Sequence, residues 1–284
     1  MYLKIKRKES VSSILLFIFN VFLVERGITS IPLRKIFKIL EPFQKNETAI
    51  RMGLSRELQN GLLINGKENG EVHYYLTETA LNGFKYWMKT MDYDRAKMQL
   101  QLADWNSIWS ILALNNRMEL ERTIYEKISE ELRQISYGLL NKNVWISPYL
   151  QTKLILELSQ KYHIENEVHL FESRLSNLES ISSLVSTIWP INKLYEQYQA
   201  FLENLTNESK LLNIESRNGG GGLPVLYRLG FEYFEIVQDD PRLPLQLLPS
   251  NWPGLQAAKS FNQLRERILP NANNFINNIL YMSQ

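Results

Sequence analysis

The stretch Asn46-Glu47-Thr48-Ala49-Ile50-Arg51-Met52-Gly53-Leu54-Ser55-Arg56-Glu57-Leu58-Gln59-Asn60-Gly61 decides how this chain is read. Asn46 is a good helix cap, Glu47 sits in the first turn where the positive helix end favours an acid, and Gly61 is a good stop. At about 100° per residue, Ile50, Leu54 and Leu58 share one face, with Gly53 beside them to admit a close crossing by another helix. Thr48, Arg51, Met52, Ser55, Arg56 and Gln59 share the opposite face.

Two further helices precede this one. Residues 11–25 read as a buried helix capped by Ser12 or Ser13 and stopped by Gly27. Its apolar run, Ile14 to Val24, follows Lys4, Lys6, Arg7 and Lys8 and so imitates a signal peptide, but no small-residue cleavage site follows. As a helix the run spans roughly 16 Å, about half a bilayer core, so no membrane partner is expected. Pro32 opens a second helix with Leu33, Ile36, Phe37 and Leu40 on one face, and Glu41-Pro42 closes it. Downstream, Leu62-Leu63-Ile64 and Val72 to Leu76 are β-type runs around two Asn-Gly steps, which predicts a hairpin. Thr77 caps a fourth helix, Glu78 to about Met88. Three helices, a hairpin and a closing helix describe a winged helix-turn-helix, whose third helix enters a DNA major groove.

The side chains suit that duty. Arg51 and Arg56 can make two-point hydrogen bonds to guanine or phosphate, Gln59 can read adenine, and Thr48 and Ser55 suit phosphates or bases. Met52 lies on the same face. The wing carries Lys67 but also Glu68 and Glu71, leaving Asn69 and His73 as neutral donors, so Arg34, Lys35, Lys38 and residues 4–8 supply most backbone contacts. Residues 1–90 hold 14 Lys and Arg against 8 Asp and Glu, and the remaining residues 18 against 22, a balance of +6 against −4. With 284 residues, 44% of them apolar, the chain is globular and long enough for two or three domains. It has no Cys, which excludes disulfides and thiolate metal sites and makes the cytoplasm the expected location.

The order of Pro32-Leu33-Arg34, Ala49-Ile50-Arg51, Leu54 to Leu58, Gly61-Leu62-Leu63 and Tyr74-Tyr75-Leu76-Thr77 resembles the DNA-binding domain of the phenylacetic acid catabolism repressor family, the PaaX-like regulators. Far downstream, Asp240-Pro241-Arg242-Leu243-Pro244, Leu247-Leu248-Pro249 and Trp252-Pro253-Gly254 look like that family's C-terminal signature. Asp104-Trp105 with Trp109, Val144 to Pro148, and Trp189, Leu194, Tyr198 and Phe201 join the two ends. The chain departs from the pattern at the wing, usually richer in Arg, and at Gln246 and Asn251, where acids are usual. The resemblance implies a repressor that binds double-stranded DNA and is released by a small-molecule effector, an acyl-coenzyme A thioester such as phenylacetyl-CoA. No other cofactor is implied.

Ser107 to Leu114, Val144 to Ser147 and Glu167 to Phe171 read as strands, and Met118 to Gln134 and Leu150 to Tyr162 as helices. That alternation suits a ferredoxin-like sandwich, which the family also implies, and such domains often pair with themselves. Helices follow from Ile181, from Val225 to Val237 and from Ala257 to Ile268. Gly219 to Gly222 read as a flexible joint, since no Lys-Ser or Lys-Thr follows to make a phosphate loop. The prolines between Asp239 and Gly254 make a rigid buckle with Trp252 as core anchor. The expected class is α+β: a winged helix-turn-helix at 1–90, a ferredoxin-like α/β domain at 91–178 and a mainly helical domain at 179–284. No enzyme is expected: His73, His163 and His169 are too irregular for a metal triad, and no nucleophile motif occurs. Two alternatives remain, a protein-interaction module that uses the winged helix as scaffold and, less favoured, a metal-dependent nuclease with Asp104. The preferred reading is a homodimeric repressor on an inverted-repeat operator.

Overall fold

A computed structural model describes residues 10–115, 122–175, 180–215, 220 and 222–281. Lys4, Lys6, Arg7, Lys8, Gly219 and Gly221 lie outside the described residues. The chain divides into two units: Met1–Lys89 with Gln199–Glu235 and Leu255–Gln284, and Thr90–Tyr198 with Ile236–Gly254.

In the first unit, α1 (Val11–Ile18) begins where the sequence predicts, but Ser10 rather than Ser12 or Ser13 is its cap. The Ser10 Oγ accepts the Ser13 N–H at 3.1 Å, and Ser12 and Ser13 are themselves buried. The helix continues as a π-turn (Phe19–Leu23) and a 3₁₀ turn (Val24–Arg26) before Gly27, at φ +72°, ends it. β1 (Ser30–Pro32), α2 (Leu33–Leu40), α3 (Glu47–Gln59), β2 (Leu63–Glu68) and β3 (Glu71–Leu76) follow. The sheet order is β1-β3-β2, fully antiparallel. β1 is a strand that hydrophobic periodicity could not reveal, being only 3 residues long. The hairpin turns at Asn69 (φ +48°) and Gly70 (φ +84°), the pairing of left-handed residues that a tight two-residue turn needs. The other Asn-Gly step, Asn65-Gly66, lies inside β2.

Thr77 ties the hairpin to α4 (Glu78–Leu102): its hydroxyl donates to the Gly61 carbonyl at 2.7 Å and accepts the Ala80 N–H at 3.3 Å. α4 does not stop near Met88, since no Gly or Pro interrupts the sequence there. Most of α8 (Ile191–Glu215, from Gln199), α9 (Leu223–Asp239, up to Glu235) and α10 (Gly254–Tyr281, from Leu255) completes this unit. α10 extends well past Ile268 and carries Pro270 inside it. Tyr227 of α9 meets Phe17 and Phe43 edge-on at 5.3 and 5.9 Å, and Tyr233 stacks on Phe261 at 4.8 Å. The close crossing anticipated at Gly53 is made with α1: a Cβ at Gly53 would lie 2.5 Å from Val11 Cγ1.

The second unit holds β4 (Trp109–Leu114), α5 (Arg122–Gln134), β5 (Gly138–Asn141), β6 (Val144–Ser147), α6 (Thr152–Tyr162) and β7 (Val168–Ser173). Sheet order β5-β6-β4-β7 with antiparallel pairing throughout is the split βαβ arrangement of a ferredoxin-like domain. β5 completes the βαββαβ order and escaped the sequence reading, because three of its four residues are exposed and leave no alternation. Leu112, Leu114, Ile128, Leu132, Trp145 and Ile155 form the core between sheet and helices. α7 (Ile181–Ile188) approaches Gly138 so closely that a Cβ there would lie 2.1 Å from Ile188 Cγ2.

The Asp240 to Leu243 segment is buried in the same unit, and each of its four carbonyls takes a side-chain donor. Lys97 Nζ reaches Asp240 O at 3.0 Å, Ser136 Oγ reaches Pro241 O at 2.6 Å, Tyr149 Oη reaches Arg242 O at 2.5 Å and Gln101 Nε2 reaches Leu243 O at 2.9 Å. Arg242 is fully buried, at φ +52°, with Nε 2.8 Å from Asp94 Oδ1 and Nη1 3.3 Å from Asp240 Oδ2. Burial pushes the Lys97 ammonium below its ordinary range, with Asp240 and Asp94 opposing that shift.

Gly53→Ala destabilises the chain despite the better helix propensity of Ala, by roughly 1–3 kcal/mol from overpacking. Chemical denaturation of Gly53→Ala, Val11→Ala and the double variant then shows the two substitutions coupled, with the pair less costly than their sum. Arg242→Ala leaves Asp94 and Asp240 buried without their guanidinium, with Lys97 as the cation still beside them, and urea titration reads a loss of about 3 kcal/mol. Burial pushes the Tyr137 phenol, which shares a 2.6 Å hydrogen bond with Ser110, from 10.0 up to about 12. Its contribution is therefore complete below pH 10 and lost as pH rises through about 12, so Tyr137→Phe flattens the alkaline fall of the unfolding midpoint across that window.

Candidate nucleic-acid interface

The site is built on α3. Asn46 caps it as the sequence predicts, its Oδ1 accepting the Ala49 N–H at 2.8 Å. Ile50, Gly53, Leu54 and Glu57 are buried, whereas Thr48, Arg51, Met52, Ser55, Arg56 and Gln59 are all exposed. The division into faces is the one that periodicity predicts, with two differences. Leu58 is only half-buried, and Glu57 takes the inner position at 2% exposure. Its Oε2 has no hydrogen-bond partner among the described residues. The signal for Glu57 was present in the spacing, since it stands two turns after Ile50, but its charge argued against burial.

Arg51 is steadied at one edge of the face. Its guanidinium lies 5.1 Å from the Phe37 ring centre and 3.7 Å from the Glu47 carboxylate, an exposed pair one helical turn apart. Arg34 at the start of α2 is exposed and pairs with Glu71 of β3 at 3.0 Å. Lys35 is half-buried and donates to the Leu280 carbonyl of α10 at 2.5 Å, so its ammonium is already engaged. Lys38 is exposed on the same helix.

On the hairpin, Lys67 is exposed at the tip and His73 is half-buried. Glu68 lies between two aromatic neighbours: the Tyr75 hydroxyl donates to Oε1 at 2.5 Å, and His73 Nδ1 lies 3.3 Å from Oε2 without a hydrogen bond between them. The hydrogen bond to Glu68, ahead of desolvation, raises the Tyr75 phenol above its ordinary range. The sequence reading did not foresee this hydrogen bond, because a cross-strand contact depends on register: Gly66 opposite His73 places Glu68 opposite Glu71. The arrangement offers two guanidinium groups, two hydroxyls and an amide along one accessible helix face. That set complements acceptor edges bounded by anions.

Asp104, weighed for nuclease chemistry, is exposed in the segment between α4 and β4. Among the described residues no cluster of three or more His, Asp or Glu is placed to hold a metal ion. None of the described helices is long and apolar enough to cross a membrane.

Three family models match the chain in order: PaaX-like protein over residues 11–80, PaaX protein central Cas2-like domain over 102–185, and PaaX-like protein C-terminal domain over 189–278. The transcriptional repressor PaaX of Escherichia coli (strain K12) is 21% identical over 246 residues, which cover 84% of this chain and 74% of that one. The uncharacterized protein Rv0674 from Mycobacterium tuberculosis has a similar fold, with a TM-score of 0.55 at 16% identity over 93% of this chain and 96% of its own. With an N-terminal unit of helices and a small antiparallel sheet, a Cas2-like α/β domain and a helical C-terminal region, all three in the family's order, the chain belongs to the PaaX-like family.

Proposed function

We infer that the chain is a DNA-binding transcriptional regulator of the repressor type. The observation that carries this reading is the outward face of α3, where Thr48, Arg51, Met52, Ser55, Arg56 and Gln59 are exposed together while the opposite face is buried. Membership of a family that includes a transcriptional repressor supports it. In this reading residues 1–90 form the DNA-binding domain, 91–178 the central domain and 179–284 the C-terminal domain. The chain acts as a homodimer that sets two copies of α3 in successive major grooves, about 34 Å apart, and so reads an inverted repeat. Arg34, Lys67 and His73 face phosphates beside the groove, and Lys35 joins them only by releasing the Leu280 carbonyl.

Binding blocks a promoter. A small effector releases the complex only if it binds the DNA-free arrangement better, since equal affinity for both states shifts nothing. The resemblance to the family makes an acyl-coenzyme A thioester such as phenylacetyl-CoA the first compound to test, by calorimetry and by its effect on DNA affinity.

Arg51→Ala and Arg56→Ala each lower specific affinity by about 1–3 kcal/mol where the guanidinium meets a base. Where it meets a phosphate instead, the loss is uniform across sequences and the salt slope shrinks by about one unit. Fluorescence anisotropy on DNA from the promoter of the chain's own gene, titrated with salt, separates the two outcomes. A steep salt dependence is the mark of the regulator, and no binding at low salt is the mark of a protein-interaction scaffold.

A further inference from the structure

On the outward face of α3, positions 48, 52, 55 and 59 follow one another at spacings of four, three and four residues. At about 100° per residue these spacings form a single crest, with Arg51 on one side of it and Arg56 on the other. Three of the crest residues are hydrogen-bonding side chains. The fourth is Met52, a residue that is 62% exposed. An isolated exposed apolar residue needs no explanation. Met52 differs in its position, because it occupies the ridge of a polar helix face between two guanidinium groups.

A complementary surface must offer anions along two rims and an apolar spot on its floor, in a channel that admits a helix about 10–12 Å across. The major groove of B-DNA, about 12 Å wide, has this form: phosphates line both edges, and the C5-methyl of thymine is the apolar group on its floor. An unbranched thioether adapts to such a methyl at small conformational cost. Arg51, braced by Phe37 and Glu47, stands to one side of the crest, the position from which a guanidinium would meet a rim and not the floor.

We propose that Met52 reads the C5-methyl of thymine in the major groove, with Thr48, Ser55 and Gln59 aligned to neighbouring base edges and Arg51 and Arg56 gripping the flanking phosphates. This inference rests on the regulator reading and adds to it the base chemistry that the helix selects.

The test starts with the full chain and a pool of random-sequence duplexes, from which the tightest-bound duplex is recovered. Each of its thymines is then replaced singly by deoxyuridine, which removes the methyl and nothing else. Affinities are compared for the wild type, Met52→Ala and Met52→Leu, with circular dichroism and thermal unfolding reporting the fold of each variant. At one or two thymines per half-site, uracil lowers wild-type affinity about fourfold, the effect of uncovering one methyl group. Met52→Ala binds the thymine duplex about as weakly as the wild type binds the uracil one and shows no further loss with uracil, while Met52→Leu retains the discrimination. The proposal is overturned if no thymine is sensitive while the duplex still binds, or if Met52→Ala keeps the full uracil penalty. If Met52→Ala fails to fold, an insensitive wild-type scan still overturns the proposal, and Met52→Ser takes its place in the comparison of uracil penalties. A chain that enriches no duplex overturns the regulator reading as well as the proposal.

Discussion

The contact between α1 and α3 at Gly53 governs the site. A side chain there would lie within 2.5 Å of Val11 Cγ1, so only the missing Cβ lets the two helices meet at this depth. That approach buries Ile50, Leu54 and Glu57, and the rotation of a regular helix then leaves Thr48, Met52, Ser55 and Gln59 pointing the other way. The Asn46 cap and the positive-φ Gly61 set where this rotation starts and stops. An accessible polar face is thus a by-product of one packing constraint, because the inward residues take up the crossing with α1.

The second unit solves a different problem. The Asp240 to Leu243 segment has no ladder to satisfy its backbone, yet it is buried, and an unpaired buried carbonyl costs about 1–3 kcal/mol. Four side chains, from Lys97, Ser136, Tyr149 and Gln101, meet that demand one carbonyl at a time. Arg242 pays for its own burial with two carboxylates, Asp94 and Asp240, and Tyr198 donates to Asp240 Oδ2 at 2.6 Å. The prolines at 241 and 244 restrict the unfolded chain and reinforce the same geometry. The segment conserves its shape through a polar network, where most of the chain relies on apolar packing.

Legibility followed the range of the forces involved. The faces of α3, its cap and the crossing glycine were readable because each depends on residues within a few turns of one another. Glu57 was not, because only packing tells whether a spaced acid is drawn inward. β1 and β5 were missed for want of a pattern: one is three residues long and the other largely exposed. The cap at Ser10 competed with two serines of equal propensity, and the end of α4 lacked any stop signal. In the hairpin, residue types located the turn region, but the choice between its two Asn-Gly steps belonged to strand register.

Residue order alone therefore settled the α+β class, the helix carrying the polar face and the family likeness, since periodicity, caps and turn residues act locally and survive without coordinates. Folding in three dimensions decided the rest: that Arg242 is an interior cation and not a surface one, that Glu68 accepts the Tyr75 hydroxyl, and that Lys35 is engaged by the Leu280 carbonyl. Each of these joins groups distant in sequence or across strands, and the free energy of a charge depends on what surrounds it, which no local pattern encodes.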